Sequence, residues 1–344
     1  MSSNPLLTPS VSLHYLNIIH NALNRMGHES ELLNNALSNK TEDEFYFHRV
    51  PVSVLTNAWQ EAQSISGDPL IGLHVGQKIH PMDYGLLGQI IMNSDNIQQA
   101  IESVFQVEYI INNVFLTDVM ITEQHAISRL HCHLYQPEEI RHIVEQDLSG
   151  IINVGVFIMN KEYTDDNRPV EVHFRHKAAG PIAEYEKVLK CPVRFEQQFD
   201  QVIYPLSILT VPTYNPSPRM AALVKEELQH LLQQVEKLDS FSLKVWRHLQ
   251  STDQTLGLDI DSVARHFNIT TRTLQRYLKA ENSSFQEIIN QYRGDVAKQL
   301  LNQNLGITQV AHNMGFNDSS AFHKAFKRWT GSTPGEYQRS IIQQ

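Results

Sequence analysis

Two stretches near the C-terminus repeat one order of features. They are residues 259–281, DIDSVARHFNITTRTLQRYLKAE, and residues 307–329, ITQVAHNMGFNDSSAFHKAFKRW. Each predicts a short helix with a small residue, Ala264 or Ala311, where two helices must approach closely. A turn residue follows four positions later, asparagine in the first stretch and glycine in the second, and a longer helix comes next. This order is typical of a helix-turn-helix unit, so the sequence predicts two such units.

Each predicted long helix has an apolar face and a polar face. The apolar positions are Leu274 and Leu278 in the first helix and Phe322 and Phe326 in the second. Because residues three and four apart share a helix face, other side chains point outward. The outward residues that we assign to DNA contact are Arg272, Gln275, Arg276, Lys279, Ser319, Ser320, His323, Lys324 and Lys327. Arginine pairs bidentately with guanine and glutamine with adenine in the major groove, and basic side chains neutralise phosphates.

Helix ends and the connecting segment support the same organisation. Asp259 and Thr270 stand where a side-chain oxygen would accept a hydrogen bond at the start of the two helices of the first unit. Between the units, residues 284–303 predict one long helix with a buried apolar stripe. Such a rigid spacer would hold two recognition helices on one side of a DNA duplex, about one helical turn (~34 Å) apart.

The same residues carry a resemblance to a known family. The C-terminal stretch resembles the DNA-binding domain of the AraC/XylS family of bacterial transcription regulators. The matching positions are Ala264, Thr270, Thr273, Leu274, Gln275, Arg276, Arg293, Ala297, Leu300, Leu301, Ile307, Val310, Ala311, Gly315, Phe316, Asp318, Ser320, Phe322, Phe326, Lys327, Gly331, Thr333 and Pro334. The resemblance implies promoter DNA and RNA polymerase as partners. It also implies that the first recognition helix contacts bases and the second contacts bases or backbone.

This sequence departs from the family pattern at a few positions. Asn268 and Asn282 stand where the family often has glycine, and asparagine is among the residues that best tolerate left-handed backbone. His323 and Lys324 occupy positions that the family often fills with serine or threonine and with arginine. The base preference of the second unit therefore does not carry over.

Composition and charge indicate how many domains the chain has and which part of it contacts DNA. With 344 residues, 41% of them hydrophobic and 19% charged, it has room for two globular domains. The net charge is −9, yet from Ser240 onward 12 Lys and Arg face 8 Asp and Glu, against 16 and 29 in the preceding part. An acidic N-terminal part repels phosphate, so DNA contact is expected in the C-terminal part. Two cysteines and no long apolar run predict a cytoplasmic protein without a membrane anchor.

The N-terminal part alternates helical and strand-like patterns. Apolar spacing predicts helices at 11–25, 29–37, 51–65, 97–111 and 138–159, the fourth capped by Ser94 or Asp95. Alternation predicts strands at 114–122, 126–135, 170–174 and 201–204. The predicted fold class is an α+β N-terminal effector domain plus an all-α double helix-turn-helix DNA-binding domain. An apolar pocket for an unidentified small-molecule effector is expected in the α+β domain, with unknown lining residues.

The N-terminal part also resembles one branch of the AraC family. The residues that carry this looser likeness include Asp68, Pro69, Tyr84, Gly85 and Gly88. The branch, typified by the ornithine-utilisation regulator, has a mainly helical effector domain. The resemblance implies a module that senses a ligand or forms dimers, rather than a sugar-binding β-barrel.

The segment between the domains leaves two interpretations open. Residues 217–239 predict an amphipathic helix with Val224, Leu228, Leu231, Val235 and Leu238 at coiled-coil spacing. This seam fits packing on its own domain as well as homodimer formation, and a dimer through the N-terminal domain is the other possibility. We predict an effector-sensing and dimerisation domain at 1–210, a linker with the amphipathic helix at 211–240 and a DNA-binding domain at 241–344.

Enzymatic and metal-binding alternatives find little support in the sequence. No G-x-S-x-G, P-loop or G-x-G-x-x-G motif is present, so we predict no catalytic residue, no metal and no cofactor. His131 and His133 share a strand face and could hold a metal, but a solvated or packed face is the favoured interpretation. Cys132 is expected in the core. Cys191 is expected to be structural, although the neighbouring Lys190 and Arg194 could lower its pKa.

The predicted function is a sequence-specific, effector-modulated transcription regulator, with activation favoured over repression. The alternatives are a ligand-independent architectural DNA-binding protein and an enzyme fused to this DNA-binding domain.

Overall fold

The computed structural model divides the chain into two compact units. It describes residues 10–112, 114–132, 135–159, 164, 166–214, 216–238, 241–250, 259–302 and 305–342. We call Pro9–Glu236 the N-terminal unit and Lys237–Gln344 the C-terminal unit. Each is described by itself. None of the helices in the described ranges is long and apolar enough to cross a membrane.

The N-terminal unit is rich in helices. They are α1 (Leu13–Arg25), α2 (Glu31–Leu37), α3 (Glu42–Phe47), α4 (Val52–Ser66), α5 (Ile71–Gly76), α6 (Leu86–Met92), α7 (Ile97–Ile111), α8 (Arg141–Met159) and α9 (Ile182–Leu189), with α10 (Pro218–Leu238) at its end. Short 3-10 helices lie at Pro81–Tyr84 and Leu206–Thr210. The helices predicted from apolar spacing are all found, and α7 has the predicted bounds.

The described residues of this unit include seven strands, which form two sheets. The strands are β1 (Ser10–Ser12), β2 (Arg49–Pro51), β3 (Leu116–Ile121), β4 (His125–His131), β5 (Glu171–His173), β6 (Val193–Arg194) and β7 (Asp200–Pro205). β1 and β2 pair antiparallel, and the larger sheet has the order β3-β4-β7-β5-β6. Its described pairs are antiparallel except β5 with β6, which are parallel. Helices and a mainly antiparallel sheet in one unit confirm the predicted α+β class.

Several details of the N-terminal unit differ from the sequence predictions. The prediction that α1 begins at Val11 is wrong, because Ser10–Ser12 is strand β1 and the Ser12 side chain caps the helix. The cap of α7 is neither Ser94 nor Asp95, since the Oδ1 atom of Asn96 accepts the hydrogen bond from the Gln99 amide at 2.9 Å. Strands β1, β2 and β6 were not predicted, because two or three residues are too few to show an alternating pattern.

One continuous apolar core fills the N-terminal unit. It includes α1, α4, α5, α8 and the inner face of the sheet, with Leu16, Leu55, Leu73 and Leu148 fully buried. Gly88 is required for a close approach, because a Cβ atom there would overlap the carbonyl oxygen of Pro81.

The amphipathic helix α10 adds to this core. Val224, Leu228 and Leu231 are buried among its members, so the predicted seam packs on its own unit over these positions. The side chains of Val235 and Leu238 lie outside the described residues.

The C-terminal unit is all-α in its described residues. Its helices are α11 (Phe241–Gln250), α12 (Ile260–His266), α13 (Thr271–Ala280), α14 (Phe285–Asn302), α15 (Ile307–Asn313), α16 (Ser319–Thr330) and α17 (Pro334–Ile342). Helices α12 and α13 form the first helix-turn-helix, and α15 and α16 form the second. The double helix-turn-helix predicted from the two repeated stretches is thus present.

Candidate functional site

Helix α13 presents a polar face to solvent. The Oγ1 atom of Thr270 accepts a hydrogen bond from the Thr273 amide at 3.2 Å, which fixes the start of the helix. Leu274 and Leu278 are fully buried. The predicted contact residues Arg272, Gln275, Arg276 and Lys279 are all exposed. The structure therefore brings four long polar side chains together on the solvent side of one helix.

The turn before α13 determines the direction in which the chain enters this helix. Asn268 adopts a left-handed backbone with φ of 53°, as expected for an asparagine in a position that favours glycine. This conformation lets the Ile269 amide donate to the Ala264 carbonyl at 3.0 Å. Ala264 is itself buried, so the chain reverses over a closely packed residue and enters α13 at a defined angle.

Helix α16 presents a second polar face, and two of its predicted contact residues are less exposed than those of α13. The Oδ1 atom of Asp318 accepts a hydrogen bond from the Ala321 amide at 2.8 Å and caps the helix. Ser320, Lys324 and Lys327 are exposed as predicted. Ser319 and His323, also predicted to point outward, are half-buried, so they lie at the border of the polar face. The physical reason is helical spacing, because positions 319 and 323 border the buried positions 322 and 326.

Helix α14 connects the two helix-turn-helix units. In its N-terminal half, the Tyr292 ring lies 5.9 Å from the ring of Trp246 in α11, edge to face. In its C-terminal half, Ala297 and Leu301 belong to the apolar core of the second helix-turn-helix, together with Val310, Phe322 and Phe326. A helix of 18 residues is about 27 Å long. One continuous helix thus packs on both halves of the C-terminal unit, as a spacer requires.

A long-range cap, which the sequence did not indicate, holds the first half together. The carboxylate of Glu281, just after α13, accepts hydrogen bonds from the Phe241 amide at 2.5 Å and the Ser242 amide at 2.8 Å. These amides open helix α11. Glu281 therefore ties the end of the recognition helix to the start of α11, 40 residues earlier.

The N-terminal unit contains a mainly apolar cavity of about 210 Å³. Helices α6, α7 and α8 and strands β3, β4 and β7 contribute to its lining. Alternation along β4 places Ala126, Ser128 and Leu130 on the face that lines the cavity. Phe105 also lines it and is 38% exposed, so the cavity reaches the surface beside α7.

A small polar group lies at one wall of this cavity. The hydroxyl of Tyr15, on α1, lies 2.9 Å from Oδ1 of Asp147 and 3.1 Å from Oε1 of Gln146. Tyr15 and Asp147 both line the cavity. The sequence predicts a pocket in this domain but none of its residues, because they come from nine separate helices and strands and no local pattern marks them.

Helix α8 is held by a buried polar cluster next to Asp147. Glu145 is fully buried, accepts a hydrogen bond from the Tyr185 hydroxyl at 2.6 Å and lies 3.1 Å from the Arg141 guanidinium. Burial raises the pKa of Glu145 to about 7, opposed by the charge of Arg141. Burial also lowers the pKa of His142 to about 3 and that of His176 to about 4, which keeps both neutral at pH 7.

The cysteines and strand histidines have ordinary structural surroundings. Cys132 is buried, as predicted. Burial raises the pKa of the Cys191 thiol to about 12, so the suggestion that Lys190 and Arg194 lower its pKa is wrong. His131 lies 2.7 Å from a carboxylate oxygen of Asp118 across the strand pair, and His133 lies outside the described residues. Within the described ranges, His, Cys, Asp and Glu form no group suited to a metal ion.

Comparison with known proteins gives a consistent result for both units. Residues 40–213 match the family described as the arabinose-binding domain of AraC transcription regulators, N-terminal, and residues 263–340 match a helix-turn-helix domain family. The ornithine utilization regulator of Pseudomonas aeruginosa is 23% identical over 280 residues, 81% of each chain. The regulator VirS of Mycobacterium tuberculosis is 29% identical over 168 residues, 48% of each chain. The crystal structure of the transcriptional regulator CdpR from Pseudomonas aeruginosa superposes with a TM-score of 0.47 and 19% identity, over 95% of this chain and 98% of that one. The chain belongs to the AraC family of transcription regulators, as a DNA-binding regulator with an effector-binding N-terminal domain.

Proposed function

We propose that this regulator activates transcription by reading promoter DNA through the outward faces of α13 and α16, under the control of a small molecule in the N-terminal cavity. The proposed DNA contacts are Arg272, Gln275, Arg276, Lys279, Ser319, Ser320, His323, Lys324 and Lys327. The observation that carries the proposal is the exposed face of α13. Two arginines and a glutamine there match the donors and acceptors of guanine and adenine in the major groove.

The test of this proposal is selection of bound genomic fragments by the full-length protein at near-physiological salt, with Arg276→Ala alongside. We expect a recurring site that the variant no longer enriches. Equal enrichment by both proteins would contradict the assignment of Arg276 to base contact.

The proposed effector site is the N-terminal cavity. A ligand that binds one arrangement of the protein better than another shifts the population toward it, and DNA affinity changes accordingly. The mainly apolar lining does not suit a sugar such as the one in the family's description, because sugar hydroxyls need many hydrogen-bonding partners. DNA affinity that stays constant whether or not the cavity is occupied would instead indicate a ligand-independent architectural protein.

Three further parts of the proposal concern partners and organisation. RNA polymerase is the proposed partner at the promoter, and the cytoplasm is the proposed compartment. The proposed segments are an effector and dimerisation domain at 1–210, a linker with the amphipathic helix at 211–240 and a DNA-binding domain at 241–344. We also propose a homodimer formed through the N-terminal domain or α10. Sedimentation of the full-length chain over a range of concentrations tests this, and a monomer at micromolar concentration would contradict it.

The proposal contains no catalytic step. The family matched by residues 40–213 is described as a domain of AraC transcription regulators, and the relative VirS is described as a transcriptional regulator.

A further inference from the structure

The N-terminal cavity has a lining that selects among classes of small molecule. Most of its surface comes from aliphatic side chains, including Leu87, Ile91, Ile101 and Ile151. An engineered apolar cavity of about 150 Å³ accommodates benzene. At about 210 Å³ this cavity holds a somewhat larger molecule whose body is apolar.

The described residues of the lining include one charged side chain, that of Asp147. Among the described residues that line the cavity, Asp147 carries the only carboxylate, and Lys, Arg and His are all absent. Asn112, Thr117 and Ser128 add neutral polar groups, and the Tyr15 hydroxyl lies 2.9 Å from the Asp147 carboxylate. Tyr15 is buried and comes from a different helix, so the carboxylate is held in place against the cavity wall.

This arrangement disfavours anionic ligands and favours cationic ones. A ligand carboxylate or phosphate would find no cation among these residues and would face Asp147 across an environment of low dielectric constant. A buried ammonium group requires an oppositely charged partner, and a carboxylate at hydrogen-bond distance provides a short, charge-assisted bond.

We propose that the effector cavity takes a mainly apolar molecule with a primary amine, whose ammonium group pairs with Asp147. This inference rests on the proposed function of the cavity as the effector site, and it names the ligand class of that site. The apolar body fills the space between α7 and the sheet, and the amine lies at the wall formed by α1 and α8.

The test uses three probes with the same hydrocarbon body, namely hexylamine, hexanol and hexanoate. Calorimetric titration of the full-length protein at pH 7 gives their affinities, and the shift of its melting temperature gives an independent measure. We expect hexylamine to bind about tenfold or more tightly than hexanoate, with hexanol between them. Equal affinities, tighter binding of hexanoate or no binding of any probe would each overturn the inference without recourse to a variant.

Two variants test the role of the carboxylate itself. Asp147→Asn keeps the size and can still accept a hydrogen bond from Tyr15, so we expect the preference for hexylamine over hexanoate to fall to about twofold or less. Asp118→Asn is the matched control, because Asp118 is an exposed carboxylate between the cavity-lining residues Thr117 and Val119 and points to the other face of β3. A preference unchanged by Asp147→Asn, or lost equally in Asp118→Asn, would contradict the pairing.

A DNA-binding measurement separates this inference from the proposed function. The affinity of the full-length protein for its selected site is measured with and without saturating hexylamine. A change in affinity supports both the ligand class and the sensor role. Tight hexylamine binding with unchanged DNA affinity would leave the ligand class standing and contradict the sensor role.

Discussion

The two helix-turn-helix units use one backbone plan with different outward chemistry. Ala264 and Ala311 each accept a hydrogen bond from the amide five residues later, at 3.0 and 2.8 Å. Asn268 and Gly315, four residues after each alanine, both have left-handed backbone with φ of 53° and 68°. The capping residue then comes six positions after the alanine in the first unit and seven in the second.

Counting from these caps aligns the two recognition helices. Their second, fifth, sixth and ninth residues are Arg272, Gln275, Arg276 and Lys279 in α13, and Ser320, His323, Lys324 and Lys327 in α16. The fourth and eighth residues are leucine in α13 and phenylalanine in α16, and all are fully buried. The buried positions and the turn therefore fix the scaffold, while the positions between them are free to differ. We propose that α13, with two arginines, contributes more to base selection than α16.

The largest expected effect comes from the buried eighth position. Phe326→Ala should destabilise the second helix-turn-helix unit by about 3–5 kcal/mol, because the loss of a large buried ring leaves a cavity. Leu278→Ala should destabilise the first unit by about 2–5 kcal/mol. Hydrogen–deuterium exchange of the full-length protein, resolved by peptide, is the measurement. If either change raised exchange equally in both helix-turn-helix units, the two would unfold together as one cooperative structure.

The next effect concerns the sixth position. Arg276→Ala should weaken binding to the selected site by about 1–3 kcal/mol and relax base choice there, since a bidentate base contact is lost. Lys324→Ala is the matched change in α16 and should weaken binding to specific and random DNA alike. Affinities on both kinds of DNA at fixed salt give the answer. Suppose that Lys324→Ala weakened binding to the selected site alone, while Arg276→Ala weakened binding to all DNA equally. That result would reverse the roles that we propose for the two helices.

A smaller effect is expected at the ninth position, where both helices have lysine. Lys327→Ala should weaken binding to all sequences and reduce the slope of log affinity against log salt by about 1, because one phosphate contact is lost. Lys279→Ala should behave in the same way if the two faces follow the DNA backbone equally. Lys298→Ala serves as a control, since this lysine lies 3.5 Å from Asp295 on α14, and it should leave the salt slope unchanged.

The smallest effect comes from exchanging the turn residues. Asn268→Gly should stabilise the first unit and Gly315→Asn should destabilise the second, each by less than about 1 kcal/mol, because asparagine tolerates left-handed backbone almost as well as glycine. Thermal unfolding of the full-length chain measures both changes. A loss of more than about 2 kcal/mol in Gly315→Asn would show that this position needs the small size of glycine as well as its backbone freedom.

Features set by neighbouring residues were predicted well. Thr270 and Asp259 cap their helices, and Asn268 and Asn282 both have φ of 53°. These features depend on hydrogen bonds and backbone energies within one helical turn, which the local sequence specifies. The exposed face of α13 follows for the same reason, since two buried leucines determine which side remains outside.

Features that join distant segments were not predicted. The Glu281 carboxylate caps a helix that begins 40 residues earlier. Strands β1 and β2 pair through Val11 and Val50, which are 39 residues apart. Phe157 is an apolar residue of α8, yet it is 47% exposed, and its ring lies 4.7 Å from the ring of His80 in an edge-to-face arrangement. Periodicity indicates which face of a helix is apolar, but not where the partner surface ends.

The sequence by itself determined the two repeated units, their caps and turns, the set of outward residues on α13 and the α+β class of the N-terminal part. These properties follow from spacing within single helices and strands. Only the tertiary structure decided that α10 packs on the N-terminal unit through Val224, Leu228 and Leu231, and that Tyr15 meets Asp147 at the cavity wall. Packing brings together residues more than one hundred positions apart, and no local pattern encodes which of them will meet.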